Sequence, residues 1–183
     1  MTQVLTRHIV LIGMMGAGKT AIGSELARRL RVPFTDSDAE IEAAAAMSIS
    51  EIFARDGEAF FRAREAQVLA RLLAGSPCVI STGGGAWMRP ENRAAIAARG
   101  LSVWLNCAPE TLWARVRQRP TRPLLQTADP KGTLLRLLAE RSPVYALADM
   151  EFVSRAGDSI EATALRLLDE LGAAHPTLMQ ERP

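Results

Sequence analysis

Eight residues near the start of the chain match the phosphate-binding loop of P-loop proteins. The segment Gly13-Met-Met-Gly-Ala-Gly-Lys-Thr20 fits the pattern Gly-x-x-x-x-Gly-Lys-[Ser/Thr] at every position. Backbone N–H groups of such a loop bind phosphate oxygens together with the N-terminus of the following helix. Lys19 would reach the β- and γ-phosphates of a nucleotide, and Thr20 would bind Mg²⁺. Because an apolar run precedes the motif and a helical pattern follows it, we predict nucleotide binding.

A P-loop does not determine the reaction. A glycine-rich turn without a ligand is the simplest alternative, and three functional classes contain the motif: motors and GTPase switches, ATP-binding partner modules, and small-molecule kinases. A guanine-specific switch would need an Asn-Lys-x-Asp segment, and the sequence has none. An ordinary Walker B strand ends in an aspartate that helps to hold Mg²⁺, but the apolar runs Val79–Thr82 and Val103–Asn106 end without one. The acid must therefore come from elsewhere in the chain.

Two aspartates, Asp36 and Asp38, directly follow the second predicted strand. Alternate residues at a strand end point to the same side, so we expect both carboxylates beside the P-loop, where open α/β sheets bind ligands. One acid would assist Mg²⁺ through water, and the other would orient or deprotonate an acceptor hydroxyl. The alternative role is helix capping, with either aspartate starting a helix that contains Glu40 and Ile41.

Arginine and glycine residues later in the chain could form an anion site. Arg62 lies three residues before Glu65 in a helical pattern, so an ion pair on a solvated face is the simplest role of both. The glycines from Gly83 to Gly85 would let the backbone approach a ligand closely, and a plain loop is the alternative. The arginine-bearing, proline-punctuated segment at about 115–132 is either a solvated run or a lid that closes over ATP.

These residues need a framework of strands and helices. Five short segments rich in β-branched or aromatic residues are predicted strands: His8–Ile12, Val32–Thr35, Cys78–Thr82, Leu101–Asn106 and Glu151–Ser154. Helical patterns lie between them: Lys19–Leu30, Gly57–Leu73, Glu91–Ala98, Pro109–Arg117, Thr133–Arg141 and Ser159–Leu171. This alternation predicts an α/β fold of three layers, a doubly wound parallel sheet of five strands between helices. We expect one domain over residues 1–183, with a core of about 8–172 and a frayed tail at 173–183.

The composition excludes several other classes of protein. The chain has 183 residues, of which 48% are hydrophobic and 23% charged, as in a globular domain. A net charge of +2 is too small to indicate a nucleic-acid or membrane partner. The two cysteines and two histidines lack the spacing of a metal site or a disulfide framework. The apolar run near the N-terminus fits a P-loop strand better than an export signal, and we expect a cytoplasmic protein.

The ordered set of motifs resembles the shikimate kinase family. After the P-loop, the set comprises Asp36-x-Asp38, Phe61-Arg62-x-x-Glu65, Gly83-Gly-Gly-Ala86, Arg122-Pro-Leu-Leu125 and Arg141-x-x-x-Tyr145. The resemblance runs from about residue 8 to residue 171. It implies a nucleoside-monophosphate-kinase-like fold with strand order 2-3-1-4-5. It also implies ATP-dependent phosphorylation of the shikimate 3-hydroxyl, within chorismate and aromatic amino-acid biosynthesis.

The resemblance also implies a role for individual residues. ATP would be bound by Gly16, Ala17, Gly18, Lys19, Thr20 and Ala21, and by Arg122 of the lid. Shikimate would be bound by Asp38, Arg62, Gly83, Gly84, Gly85 and Arg141. Mg²⁺ would be held by Thr20 and, through water, by Asp36, and the catalytic groups would be Asp38, Lys19 and Arg122. The adenine contact falls near Arg155–Asp158, where the sequence has no clear anchor.

Other functions stay open at the level of the sequence. A nucleoside monophosphate kinase should add a base-binding pocket, which we do not identify. Gluconate-type kinases are the runner-up, because their substrate is likewise a hydroxylated carboxylate. A noncatalytic ATP-binding module is disfavoured by the acids and the lid arginines together. We expect a monomer whose partners are the small molecules shikimate and ATP, with no nucleic acid and no membrane.

Overall fold

The computed structural model describes residues 2–119 and 123–182, and seven strands occur in these ranges. They are β1 Thr2–Leu5, β2 His8–Ile12, β3 Phe34–Asp36, β4 Val79–Ser81, β5 Gly100–Asn106, β6 Met150–Val153 and β7 Met179–Arg182. The strands from β2 to β6 form one sheet in the order β3-β4-β2-β5-β6, in which every neighbouring pair is parallel. Counted from β2, this order is 2-3-1-4-5, so the expected sheet is confirmed.

The same ranges contain seven α-helices, which cover both faces of the sheet. They are α1 Lys19–Leu30, α2 Ser37–Ala45, α3 Ile49–Leu73, α4 Pro90–Arg99, α5 Pro109–Val116, α6 Pro130–Tyr145 and α7 Ile160–Ala174. Short 3₁₀ helices occur at Ala86–Met88 and Pro123–Leu125. Within the described ranges, none of the helices has the length and apolar character needed to cross a membrane.

The P-loop lies between the central strand and the first helix. All five residues of β2 are buried, as expected for a strand that has neighbours on both sides and helices on both faces. The next helix, α1, begins at Lys19, so its first turn carries the lysine and threonine of the motif. Both elements have the bounds that the sequence predicts, because the glycine-rich motif marks where the strand ends and the helix begins.

The helix α3 begins earlier than the predicted start at Gly57. β3 passes directly into α2, and α3 starts at Ile49 with a capping box formed by Ser48 and Glu51. Gly57 interrupts α3 with a non-helical backbone, φ 83° and ψ 171°. The predicted helix therefore corresponds to the part of α3 that follows this interruption. α2 and α3 are held together by a small apolar cluster of their own, which contains Ile41, Ile52, Phe61 and Val68.

The two ends of the chain form a separate antiparallel ribbon, in which β1 pairs with β7. Leu5 lies opposite Met179, and Leu178 is buried just before β7. The expectation of a frayed tail at 173–183 is therefore wrong for the part that the structure describes, since α7 continues to Ala174 and residues 179–182 are paired. Each strand is four residues long and its partner lies at the other end of the chain, so no local pattern indicates the pairing.

Candidate active site

The P-loop is held by its own lysine. Lys19 is buried, and its Nζ donates hydrogen bonds to the carbonyl oxygens of Gly13 (2.8 Å) and Met14 (2.9 Å). Gly16 has a φ of 81°, a left-handed conformation that favours glycine. A Cβ at Gly16 would also lie 2.8 Å from Cγ1 of Val116, so the last turn of α5 packs directly against the loop. These contacts fix the cation of the motif and the loop backbone relative to each other.

A cavity of ≈ 500 Å³ and a neighbouring one of ≈ 610 Å³ lie at the carboxyl ends of the strands, and the larger adjoins the P-loop. We call the larger one the nucleotide cavity. Its lining includes five of the six predicted P-loop contacts: Gly16, Gly18, Lys19, Thr20 and Ala21. The sixth, Ala17, does not line it, because Ala17 is fully buried and its N–H group donates to the carbonyl of Met14. Asp158 also lines this cavity, from the segment in which the sequence left the adenine contact unassigned.

Asp36 ends β3 and caps α2. Its Oδ1 accepts hydrogen bonds from the backbone N–H groups of Asp38 (2.9 Å) and Ala39 (3.3 Å), and its Oδ2 accepts one from Thr20 Oγ1 (2.6 Å). The capping alternative is thus right for Asp36, which in addition contacts the hydroxyl of the P-loop motif. Asp38 lies in the first turn of α2. The two carboxylates both line the nucleotide cavity, but a strand-to-helix junction brings them there and not the alternation of a strand.

Asp38 is a buried carboxylate with unused hydrogen-bonding capacity. In the part of the chain that the structure describes, its Oδ1 is buried without a hydrogen-bond partner. Burial raises the pKa of Asp38 to about 6, and the charges of Asp36 and Glu65 act in the same direction, whereas Lys19 and Arg62 oppose them. A carboxyl group with such a pKa is ionised at neutral pH and takes up a proton more readily than an exposed aspartate, as a general base must.

The smaller cavity, which we call the acceptor cavity, collects the other predicted contacts. Its lining includes all six residues that were expected to bind the phosphate acceptor: Asp38, Arg62, Gly83, Gly84, Gly85 and Arg141. Side chains of α3 add an apolar wall, formed by Ile49, Phe53 and Phe61. The cavity therefore combines three guanidinium groups, those of Arg62, Arg119 and Arg141, with the carboxyl groups of Asp38, Glu42 and Glu65 and an apolar face. The guanidinium groups and the apolar face suit a small anionic ligand that also has a hydrocarbon body.

At two positions of the turn after β4, the neighbouring charged side chains leave no room for a Cβ atom. A Cβ at Gly83 would lie 2.7 Å from Oδ1 of Asp38, and a Cβ at Gly85 would lie 2.6 Å from Cζ of Arg62. Neither glycine has a positive φ, so a larger residue could adopt the backbone conformation but would displace a charged side chain. The plain-loop alternative does not account for this close packing.

Arg141 and Tyr145 approach the same turn from α6. Arg141 is buried, and its Nη1 would lie 3.3 Å from a Cβ at Gly84. Among the described residues, this nitrogen has no hydrogen-bond partner. The hydroxyl group of Tyr145 donates a hydrogen bond to the carbonyl of Gly84, which fixes the middle of the turn. A guanidinium nitrogen that lines a cavity without an internal partner is suited to bind an anionic ligand.

Arg62 and Glu65 form an ion pair that is buried. Nη1 of Arg62 donates to both carboxylate oxygens of Glu65, over 3.0 and 2.9 Å. The two side chains are 16% and 1% exposed, so the solvated face that their spacing suggested is wrong. Burial raises the pKa of Glu65, and Arg62 opposes the rise. Sequence reasoning did not include Glu65 among the site residues: its spacing signalled the ion pair, but nothing local signalled the burial.

The nucleotide and acceptor cavities share a boundary. Five residues line both cavities: Met15, Asp38, Gly83, Gly84 and Arg119. Within this set, Asp38 is the one carboxylate, so its side chain borders both cavities. Arg122 lies outside the described residues, so its contact with ATP stays a prediction, as does the lid at about 115–132.

Comparison with known proteins identifies the family. A family model described as shikimate kinase matches residues 15–172. The chain belongs to the shikimate kinase family. The shikimate kinase of Cereibacter sphaeroides is 56% identical over 176 residues, which cover 96% of this chain and 87% of that protein. The shikimate kinase of Bradyrhizobium diazoefficiens is 59% identical over 149 residues, which cover 81% of this chain and 72% of that protein.

Solved structures of shikimate kinases share the fold. The enzyme of Acinetobacter baumannii in complex with shikimate superimposes with a TM-score of 0.88 at 36% identity, over 92% of this chain and 94% of that one. The shikimate kinase of Aquifex aeolicus superimposes with a TM-score of 0.77 at 32% identity, over 93% and 99% of the two chains. A sugar kinase from a Janibacter species has a TM-score of 0.58 at 18% identity, which shows a related fold alone. The expectations of a P-loop kinase fold and of shikimate kinase membership are thus confirmed.

Proposed function

We propose that the protein transfers the γ-phosphoryl group of ATP to the 3-hydroxyl of shikimate, which gives shikimate 3-phosphate and ADP in the biosynthesis of chorismate and aromatic amino acids. The observation that carries this proposal is the position of Asp38, which lines both the cavity beside the P-loop and the neighbouring cavity that contains Arg62 and Arg141. Membership of the shikimate kinase family supports the choice of acceptor.

The acceptor cavity matches the chemistry of shikimate, which carries one carboxylate and three hydroxyl groups. Arg62 and Arg141 would bind the carboxylate, because guanidinium groups hold carboxylates through paired N–H donors. Glu65 orients Arg62 through both of its oxygens, and Arg141 has a buried Nη1 available. The backbone of the turn at Gly83–Gly85 would contact the ring and its hydroxyl groups, since the glycines leave no side chain in between.

Asp38 would act on the 3-hydroxyl. As the hydroxyl oxygen bonds to the γ-phosphorus, the bond between that phosphorus and the β–γ bridging oxygen breaks, and ADP leaves with the bridging oxygen. The proton of the hydroxyl group passes to Asp38 and from there to solvent. The raised pKa of Asp38, about 6, leaves the carboxylate ionised at neutral pH and ready to accept this proton.

Lys19 and the P-loop backbone would bind the phosphates of ATP. The ammonium group of Lys19 is held by two carbonyl groups of the loop, so its charge is in position before the reaction and needs little reorganisation. Arg122 would add a second cation from the lid, as the family resemblance implies. The nucleotide cavity extends from the P-loop to Asp158, which leaves room for the base at the end remote from Lys19.

The residues that fit Mg²⁺ are Thr20 and Asp36. This ion prefers oxygen ligands, and it commonly uses one or two protein groups together with phosphates and water. Thr20 Oγ1 and Asp36 Oδ2 lie 2.6 Å apart in the nucleotide cavity, so the threonine would bind the ion and the aspartate would assist through water. No cluster of three or more His, Cys, Asp or Glu side chains suited to a metal occurs in the described ranges. Bound Mg²⁺ would neutralise phosphate charge that develops during the transfer.

The proposal includes a monomeric, cytoplasmic enzyme whose partners are shikimate and ATP, with no nucleic acid and no membrane. Two observations support it. Cys78 and Cys107 are both buried free thiols, as is usual in a reducing compartment. The net charge of +2 offers little attraction to polyanions.

A coupled assay of ADP release tests the proposed reaction directly. The purified protein would receive MgATP with shikimate, gluconate, CMP or AMP in turn, and one sample without an acceptor. We expect turnover with shikimate alone. Turnover with gluconate or a nucleotide and none with shikimate would overturn the proposal, and release of ADP without an acceptor would indicate an ATPase module.

A further inference from the structure

Residues of opposite charge line the boundary of the two cavities. Of the five residues that line both cavities, Asp38 is the carboxylate and Arg119 is the cation. They come from different parts of the fold: Asp38 belongs to the first turn of α2, and Arg119 follows the end of α5. Arg119 belongs to none of the motifs on which the family resemblance rests. A phosphoryl group that is transferred between the cavities would therefore meet both a carboxylate and a guanidinium group at their boundary.

Arg119 differs from the other cations of the nucleotide cavity in that its side chain has no partner among residues 2–119 and 123–182. Nζ of Lys19 binds two P-loop carbonyl groups, and Nη1 of Arg115 donates to the carbonyl of Gly16 over 3.0 Å. The guanidinium group of Arg119 is exposed and makes no hydrogen bond or ion pair with any residue in the described ranges. It is therefore free to bind a ligand without breaking an internal contact.

The backbone of Arg119 is fixed by a hydrogen bond, although its side chain has no partner among the described residues. Its N–H group donates to the carbonyl of Val116 over 2.9 Å, so the residue closes a turn directly after α5. Val116 is buried against the P-loop, since its Cγ1 would lie 2.8 Å from a Cβ at Gly16. The backbone of Arg119 is thus connected to the phosphate-binding loop through Val116 and one short turn.

The charges near the boundary indicate a role for Arg119. Asp38 and Glu65 place negative charge where a phosphoryl group, itself anionic, would be transferred. Of the other arginines of the acceptor cavity, Arg62 already binds Glu65, and Arg141 lines this cavity alone. We propose that Arg119 binds the phosphoryl group on both sides of the transfer, as the γ-phosphate of ATP and then as the phosphate of the product. A guanidinium group suits this task, because it can donate two parallel N–H bonds to phosphate oxygens. The inference rests on the proposed function.

Arg119→Gln tests the inference, with Arg117→Gln as a matched control. Arg117 is an exposed arginine two residues earlier that lines neither cavity. In Arg119→Gln we expect kcat to fall about 10–10²-fold, toward the loss seen when one preorganised donor is removed. The Kd for shikimate 3-phosphate should rise about 10-fold, whereas the Kd for shikimate without nucleotide should change less than about 2-fold. Arg119→Lys should recover part of both losses, because it keeps the charge but not the fork.

Three outcomes would overturn the inference. In the first, Arg119→Gln behaves like Arg117→Gln. In the second, shikimate and its phosphate lose affinity equally, which would place Arg119 on the carboxylate. In the third, only ATP binding weakens and the affinity for the product is unchanged. A wild-type protein without shikimate kinase activity would instead reject the proposed function itself, so the two failures are distinguishable.

Discussion

Thr20 Oγ1 donates a hydrogen bond to Asp36 Oδ2 over 2.6 Å, which joins the first turn of α1 to the N-cap of α2. The other oxygen of Asp36 accepts the backbone N–H groups that begin α2. A single carboxylate thus links the P-loop helix to the helix that carries Asp38. Capping and metal assistance are compatible roles for Asp36, because each uses a different oxygen.

Asp36→Asn should separate these two roles. Asparagine caps a helix about as well as aspartate, so the melting temperature should hardly change. The charge beside Thr20 is lost, and we expect the Mg²⁺ concentration for half-maximal activity to rise about 10-fold. A magnesium titration of the initial rate measures this. Asp129→Asn is the control, since Asp129 caps α6 and lines neither cavity. An unchanged magnesium requirement in Asp36→Asn would leave Asp36 as a cap alone.

Lys19→Ala should leave the fold intact and lower kcat by about 10²–10³-fold, because the transition state loses a preorganised cation. ATP affinity should fall as well, since Nζ also holds two carbonyl groups of the P-loop in place. Lys131→Ala is a natural control: Lys131 is the other lysine of the chain and is exposed in the first turn of α6. Near-normal turnover by a folded Lys19→Ala protein would contradict the assignment of the P-loop.

The sequence predicts the fold best where chemistry and local structure coincide. The bounds of β2 and α1 are right to the residue, because the P-loop motif needs a strand before it and a helix after it. The lack of a Walker B acid in the sequence indicates that another acid lies beside the P-loop, and Asp36 and Asp38 do line the nucleotide cavity. The order of the strands in the sheet follows from the family resemblance. Hydrophobic periodicity does not indicate which strands are neighbours.

Features that depend on contacts between distant segments could not be predicted. Glu65 is buried because the turn after β4 packs over it: a Cβ at Gly83 would lie 3.0 Å from its Oε1. The position of Arg119 depends on how the end of α5 meets the P-loop. The pairing of β1 with β7 joins opposite ends of the chain. Hydrophobic periodicity describes the face of one element, and these three features arise between elements.

Arg62→Lys should raise the KM for shikimate about 10–100-fold, because lysine keeps the charge but loses the paired N–H donors. The free energy of unfolding should fall by more than ~1 kcal/mol, the upper range for an exposed ion pair, since the Arg62–Glu65 pair is buried. Arg64→Lys on the same helix is the control, because Arg64 is exposed and contacts Gln67. Unchanged kinetics in Arg62→Lys, together with a loss of stability, would make the pair purely structural.

Gly85→Ala should lower kcat/KM for shikimate about 10²-fold, which is the typical cost of misplacing a binding group by about 1 Å. The added methyl group would collide with the guanidinium group of Arg62. The backbone can accept alanine, since Gly85 has a φ of −96°, so the loss would report the collision. Gly172→Ala in α7 is the control: its new Cβ would meet only Met179 Cε at 3.7 Å. Steady-state kinetics that are equal in both variants would contradict the proposed contact between the turn and Arg62.

Asp38→Asn should make the protein more stable at neutral pH while it lowers kcat. The pKa of Asp38 is raised from 3.8 to about 6 in the folded state, so between about pH 4 and pH 6 the folded protein binds more protons than the unfolded chain. Its stability therefore falls as the pH rises through this window. Asparagine removes the buried charge, and we expect a gain on the order of 1–3 kcal/mol at pH 7 that disappears below about pH 4. Denaturant unfolding at both pH values measures it.

The kinetic part of this prediction decides the role of Asp38. If Asp38 is the general base, kcat should fall by about 10²–10⁴-fold in Asp38→Asn, with ATP binding retained. In the wild-type protein, kcat/KM should rise with pH and level off above about pH 6, because this ratio follows the ionisation of the free enzyme. The variant should lack that rise. Helix capping cannot explain such a loss, since Asp36 and not Asp38 caps α2. Full activity in a folded Asp38→Asn protein would therefore remove general-base catalysis from the mechanism and leave phosphate positioning by Lys19 as its main chemical element.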